Sequence, residues 1–296
     1  MVAVPAGFYD VIFTGSEVPI HYQEGPPNGP DLLLLHGLAR DCNSFSVLLP
    51  ALAPKFHVFV LDLRGHGASG RAAREYTIPQ FASDVSALLS AHCAGGAAIF
   101  GHSLGAMVGM YVASLADCKV NALIVGDSMI SPENLARSPY HSLFTQLRKL
   151  IQGEGSQQDL AYRIGKIQIH LPGIDEPLAL EDLAGNTPSV LLEWARSAYC
   201  TDPDALAMSL DGSAFKRWNP HEVLPRITCP VLLLQGNPDL DALLSDSDVE
   251  LARGLLPQSE HVKFPLLGHA LFMQQSQPVI KEMLRFLGTH RLTGGT

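Results

Sequence analysis

The sequence predicts an α/β protein: a mostly parallel sheet with helices on both faces, interrupted by an inserted helical segment. Two observations carry this. Short continuous apolar runs (Asp31-Leu-Leu-Leu-Leu35, His57-Val-Phe-Val-Leu61, Ala97-Ala-Ile-Phe100, Ala122-Leu-Ile-Val125) recur with loops and helix-patterned stretches between them. Continuous rather than alternating apolar runs belong to strands buried on both faces, and strand–helix alternation selects a parallel sheet. The alternation then stops at about residue 129 and resumes after residue 225.

Taken in order, residues 8–14 and 18–23 flank Gly15-Ser-Glu17 and read as an antiparallel hairpin. Asp31–His36 is the first buried strand, and an amphipathic helix is expected from about Asn43 to Ala53. The strand at His57–Leu63 runs into Arg64-Gly-His-Gly-Ala-Ser69. A helix over Ile78–His92 follows, with Phe81, Val85, Leu88 and Leu89 on one side. From about 129 to 225 come helix-like stretches (Tyr140–Ile151, Leu160–Ile169, Val190–Ala198) without a convincing buried strand. Strands resume at 230–236 and 261–265, separated by a helical segment near 247–256, and a last helix covers about 276–290. The division is therefore 1–128 and 226–296 as core domain, with 129–225 as a helical cap inserted after the sixth strand. Met129, Ile130, Leu143, Phe144, Leu147, Leu192, Trp194, Tyr199, Met208 and Phe215 are expected to supply the cap's interior or an apolar pocket.

With 296 residues, 47% hydrophobic and 17% charged, the chain can bury a large core. The net charge of −9 and the lack of any basic run argue against nucleic acid or an anionic membrane as partner. Five scattered cysteines, with no C-x-x-C, fit free thiols in a reducing compartment. No signal-peptide pattern and no membrane-spanning apolar run is visible, so a cytoplasmic protein is expected. Thr293-Gly-Gly-Thr296 reads as a frayed end.

The chemistry centres on Gly101-His-Ser-Leu-Gly105, between a buried strand and a helix of small and apolar residues. Such a strand–turn–helix forces the serine backbone into strained φ/ψ, and the two glycines let strand and helix pass closely. Ser103 would stand at a strand's carboxyl end as a nucleophile, which needs a base and a carboxylate to orient that base. His269, in Leu266-Leu-Gly-His269 directly after the last strand, fits the base. Two carboxylates qualify as the acid. Asp239 is favoured because it lies one strand before the histidine in Gly236-Asn-Pro-Asp239; Asp127, in Gly126-Asp127-Ser128, is the alternative, otherwise expected to shape the pocket or tie the cap's entry. Asp241 and Asp246 are expected to be solvated. The oxyanion donors would be the backbone N–H groups of Leu104 and Leu38. His36 and His102 are expected to be structural or pocket-lining, and His66 to brace its loop.

These motifs, with Asp62-Leu-Arg-Gly-His-Gly-Ala-Ser69, together resemble the α/β-hydrolase superfamily, specifically its capped branch. The resemblance implies an eight-stranded, mostly parallel sheet, a Ser-His-Asp triad and no cofactor. Ala106 departs from the second glycine that many relatives carry. No H-E-x-x-H, no Cys/His cluster at ligand spacing, no phosphate loop and no dinucleotide fingerprint is found, so no metal is expected. The expected function is a serine hydrolase acting on a small-molecule substrate: a small to medium, apolar ester, thioester or lactone. Two rivals are a carbon–carbon bond hydrolase with the same triad and, from another class, a ligand receptor that keeps the fold with little turnover.

Overall fold

The computed structural model describes residues 6–171, 173–183, 186–290 and 292; the expected frayed tail lies outside the described residues. In chain order the strands are β1 (Tyr9–Phe13), β2 (Ile20–Glu24), β3 (Asp31–Leu35), β4 (His57–Leu61), β5 (Ala97–His102), β6 (Val120–Gly126), β7 (Gln168–Ile169), β8 (Leu178–Ala179), β9 (Val231–Gln235) and β10 (Ser259–Lys263). Eight of them form one sheet in the order β1-β2-β4-β3-β5-β6-β9-β10. The β1–β2 and β2–β4 pairings are antiparallel and the remainder parallel.

Successive strand residues point to opposite faces of the sheet, and each face is buried. Leu33, Leu35, Ile99 and Leu233 join one core, with the helices Ile78–His92 and Leu104–Ala113. Leu32, Leu34, Phe100 and Leu234 join the other, with Leu49–Leu52 and Ser276–Thr289. This is why the strands read as unbroken apolar runs. Ile78–His92 forms over the expected residues because Thr77 and Gln80 make a reciprocal capping box.

The helix expected over 43–53 is instead a 3-10 turn, Cys42–Phe45, and one short α-turn, Leu49–Leu52. Asp41 caps the first by accepting from the Asn43 N–H at 3.0 Å, and Pro50, lacking an N–H, suits only the opening of the second.

The motif after β4 is a braced loop. Arg64, fully buried, makes a two-pronged pair with Asp84 on Ile78–His92 at 2.6 and 2.9 Å. The Asp62 carboxylate accepts from the Cys42 and Ala68 N–H groups and binds His21, while Ser69 Oγ donates to the Asp62 carbonyl. His66 Nδ1 donates to the Arg64 carbonyl, as a loop brace should.

Between β6 and β9 the chain leaves the sheet for helices Pro139–Ile151, Gln157–Gly165, Pro188–Tyr199 and Pro203–Leu210. Two expectations fail here. The helix expected to reach Ile169 stops at Gly165, because Ile167 and Ile169 bury alternate residues, a period of two, and Gln168–Ile169 pairs with β8. Tyr199, expected inside, is 52% exposed. The inserted segment is tied down at both ends. Asp248 accepts from the Ile130 and Ser131 N–H groups, Trp218 Nε1 donates to the Ile130 carbonyl, and Asp202 binds the Gly65 carbonyl and the Tyr76 hydroxyl. The five cysteines are unpaired. Among the described residues, no helix is long and apolar enough to cross a membrane.

Candidate active site

At the carboxyl end of β5 the chain turns through Ser103, whose φ of 54° and ψ of −120° lie where a side chain is strained. Two glycines permit it. A Cβ on Gly101 would meet the Gly105 carbonyl and the Ala106 backbone, and one on Gly105 would meet the Leu35 and His36 carbonyls. The loop after β3 crosses just above: a Cβ on Gly37 would lie 3.1 Å from Ser103 Cβ. Ala39 in that loop also has a positive φ, 56°. Among the described residues, neither the Leu38 nor the Leu104 backbone N–H donates a hydrogen bond, and the Ser103 hydroxyl makes none.

His269 follows β10 in a loop that fixes it on three sides. Its N–H donates to Asp241 Oδ1 at 2.7 Å, its carbonyl accepts from His102 Nε2 at 2.9 Å, and its Nδ1 donates to Asp127 Oδ2 at 2.7 Å. A neutral imidazole that donates from Nδ1 to this carboxylate keeps the lone pair on Nε2. The His102 ring lies beneath, centroids 4.6 Å apart, and burial holds its pKa well below the usual imidazole value, so it is neutral.

Asp127, fully buried, accepts two further bonds, from the Gly236 N–H at 2.9 Å and the Leu243 N–H at 2.8 Å. It sits in a strained turn of its own, φ 38°. Asp239, favoured on sequence as the carboxylate partner of His269, is not there. It is exposed, on a 3-10 turn whose N-terminus Asn237 caps by accepting from the Asp239 N–H. The sheet explains the difference. β6 lies beside β5, with His102 opposite Gly126 and the Ser103 N–H donating to the Gly126 carbonyl, so the residue after β6 emerges next to the serine. β9 is one strand further out, and its following loop contributes backbone donors to Asp127 rather than a carboxylate.

Asp241 corrects a second expectation. Far from being solvated, it receives the His269 N–H and, at 2.9 Å, the Tyr140 hydroxyl, and burial pushes its pKa up. Tyr140, from the inserted helix Pro139–Ile151, sets its ring edge-to-face against His269 at 4.8 Å. Asp246 is exposed and pairs with Lys263, as expected of a surface residue. His36, also expected to be structural, accepts the Leu63 N–H and donates to the Gly37 carbonyl, stitching β4's end to the loop over the serine. Among the described residues, four of the five non-glycine positions with positive φ (Ala39, Ser103, Asp127, Asp241) surround this one place. Strain collects where the fold over-determines geometry for use.

Ser103 and His269 share the wall of a cavity of about 150 Å³ with Gly37, Leu38, Arg40, His102 and Asp241. Its roof comes from the inserted segment: Tyr140, Leu143, Phe144, Leu180, Val190 and Trp194. A larger and more open groove, about 690 Å³, runs past Leu135, Asp211 and Trp218, away from these groups. Sequence reading singled out neither Tyr140 nor Arg40 here; the latter's signal was a basic residue two positions after Leu38. A cluster able to approach a metal, His21, Cys42 and Asp62, has its ligand atoms within 4.8 Å of one another, but Asp62 is already bonded by His21 and two backbone N–H groups. Those bonds make it a brace for the loop after β4.

Known proteins resemble the chain at every level of comparison. The acetyltransferase component (dihydrolipoyllysine-residue) of an acetoin cleaving system from Pseudomonas putida is 27% identical over 91% of this chain; the chain spans 66% of that protein's length. A pimeloyl-[acyl-carrier protein] methyl ester esterase from Aeromonas hydrophila subsp. hydrophila is 26% identical over 88% of this chain and 96% of its own. Among solved structures, an enol-lactonase from Burkholderia xenovorans LB400 superposes with a TM-score of 0.72 at 19% identity, covering 94% of this chain and all of its own. The family model described as alpha/beta hydrolase fold matches residues 30–276, and the chain belongs to that family.

Proposed function

We propose that the protein is a serine hydrolase that cleaves a small carboxylic ester, thioester or lactone through an acyl-enzyme. The observation that carries this is the Asp127–His269 hydrogen bond at 2.7 Å, set in the same cavity wall as a strained serine. Ser103 is the nucleophile, His269 the base and Asp127, rather than Asp239, the residue that holds the imidazole's tautomer. As substrate seats, Ser103 Oγ bonds to the carbonyl carbon while its proton passes to His269 Nε2. The carbonyl electron pair moves onto oxygen, which the Leu38 and Leu104 N–H groups receive. Collapse expels the leaving group with the proton from Nε2. Water, deprotonated by the same nitrogen, then releases the acid and restores Ser103.

The absence of a Ser103 hydrogen bond is compatible with this role, since such bonds are often loose until substrate tightens them. Residues 129–225 act as the cap, and their apolar roof over Ser103 supports a substrate with an apolar body. The methyl ester esterase likeness supports ester cleavage in particular.

A hydrolysis screen over p-nitrophenyl esters of increasing acyl length tests this. Wild-type turnover concentrated on short acyl chains, and a loss of about 10⁴-fold or more in Ser103→Ala, is expected. Turnover that survives Ser103→Ala contradicts the nucleophile assignment.

A further inference from the structure

We propose that Arg40 anchors a carboxylate carried by the substrate, so that the site selects small esters bearing a free acid group. This rests on the hydrolytic reading above.

Arg40 lines the same cavity as Ser103 and His269 and lies two residues beyond Leu38. Its guanidinium carbon sits 4.5 Å from the centroid of the Trp194 ring. A cation held over an aromatic ring is attracted through its charge, and the contact itself consumes none of the five N–H donors. Among the described residues, none of those groups makes a hydrogen bond and no carboxylate forms an ion pair with Arg40. Asp41 and Glu193 act on it only from a distance, and Asp241, the carboxylate in the same wall, is occupied by Tyr140 and the His269 N–H. Burial pushes the Arg40 pKa down to about 10, which leaves the group charged at neutral pH.

Arg40 is half-buried, so its charge is only partly hydrated, and attraction to one indole face covers only part of the lost hydration. A purely structural brace would have been served by an apolar side chain against Trp194. Of the other lining residues, Leu143, Phe144, Leu180 and Val190 carry no side-chain acceptor, while Gln274 accepts the Gly268 N–H and Asn186 is engaged with the Leu180 carbonyl. What fits is an anion brought by the substrate, and a fork of parallel N–H donors matches a carboxylate in two-pronged fashion. Size narrows the choice. A cavity of about 150 Å³ holds a molecule near the bulk of benzene, which suits a short-chain carboxylate and not a sugar phosphate. The apolar wall then receives the short chain between the acid and the reacting carbonyl. Trp194, whose buried Nε1 finds no acceptor among the described residues, forms the other half of this contact.

The test compares mono-p-nitrophenyl glutarate with p-nitrophenyl pentanoate, esters alike in leaving group and acyl chain length but differing in the terminal carboxylate. The wild type should favour the glutarate at least about tenfold in kcat/KM, and Arg40→Met should lower that ratio about 100-fold, with Arg40→Lys in between. A wild-type ratio at or below one, or a ratio unchanged in Arg40→Met, overturns the proposal while leaving hydrolysis intact. Calorimetric titration of glutarate into the Ser103→Ala chain, with and without Arg40→Met, reads the anchor without any turnover. Binding that Arg40→Met abolishes supports the anchor even if neither ester is cleaved, an outcome that would instead contradict the hydrolytic reading. Binding that Arg40→Met leaves unchanged overturns it.

Discussion

The sheet and the inserted segment solve different problems with different materials. The sheet holds the proposed reacting groups at strand ends whose positions follow from register: Ser103 after β5, Asp127 after β6, His269 after β10. Its side chains there are buried, its turns are strained, and glycines are placed where backbones nearly touch. The inserted segment is built of amphipathic helices with caps, and it reaches the site through a few side chains, chiefly Tyr140 and Trp194. The lesson is a separation of tasks. On the proposed reading, strand ends would set the reaction and the helical roof over them would choose the molecule that meets it.

Glycine replacement probes that contrast most severely. Gly105→Ala drives a methyl into the Leu35 and His36 carbonyls, where neither strand nor helix has room. A loss of at least about 3 kcal/mol in denaturant unfolding, or failure to fold, is expected. Gly212→Ala in the inserted segment meets nothing within 4 Å, and only its φ of 78° resists a side chain. That change should cost about 1 kcal/mol. Equal costs would mean that the two regions are packed alike.

A smaller and graded difference should appear with pH. The sheet's strand ends bury His36, His66 and His102, whereas His141, His170 and His221 of the inserted segment are not buried. Burial lowers the pKa of all three core histidines from the ordinary 6.5, that of His66 to about 3. The unfolded chain therefore binds protons below pH 6.5 that the folded chain refuses. Stability from these groups is complete above that pH and is lost as the pH falls beneath it, by up to ~1.4 kcal/mol per histidine per pH unit. His21 works in the opposite sense: although burial opposes protonation, its bonds to Asp62 and Asp10 raise its pKa. The three outweigh the one. Urea unfolding at pH 7.5 and 5.5 checks this, and a midpoint that rises on acidification contradicts it.

Much of the sheet was legible because buried parallel strands leave unbroken apolar runs, and Ser103 because only glycines tolerate its turn. His269 was legible from its place after the last strand. The carboxylate was not. Asp127 and Asp239 both follow strands in the same sequence manner, and what distinguishes them is which strand lies beside β5, a fact of sheet order. Asp241 was misread because a backbone turn, invisible in residue identity, folds it back onto His269. In the inserted segment, helix existence was readable from periodicity, but Gln168–Ile169 was too short a strand to outweigh the helical pattern before it. Arg40 passed unnoticed since only three-dimensional packing reveals that its guanidinium has no partner among the described residues.

The proposed role of Asp127 in orienting His269 is decided by a pair of asparagine variants. Steady-state hydrolysis of the best p-nitrophenyl ester should fall about 10⁴-fold in kcat for Asp127→Asn, which keeps the shape and reverses the preferred tautomer. Asp239→Asn, at an exposed turn, should stay near wild type. A large loss in Asp239→Asn with Asp127→Asn left active would contradict the account.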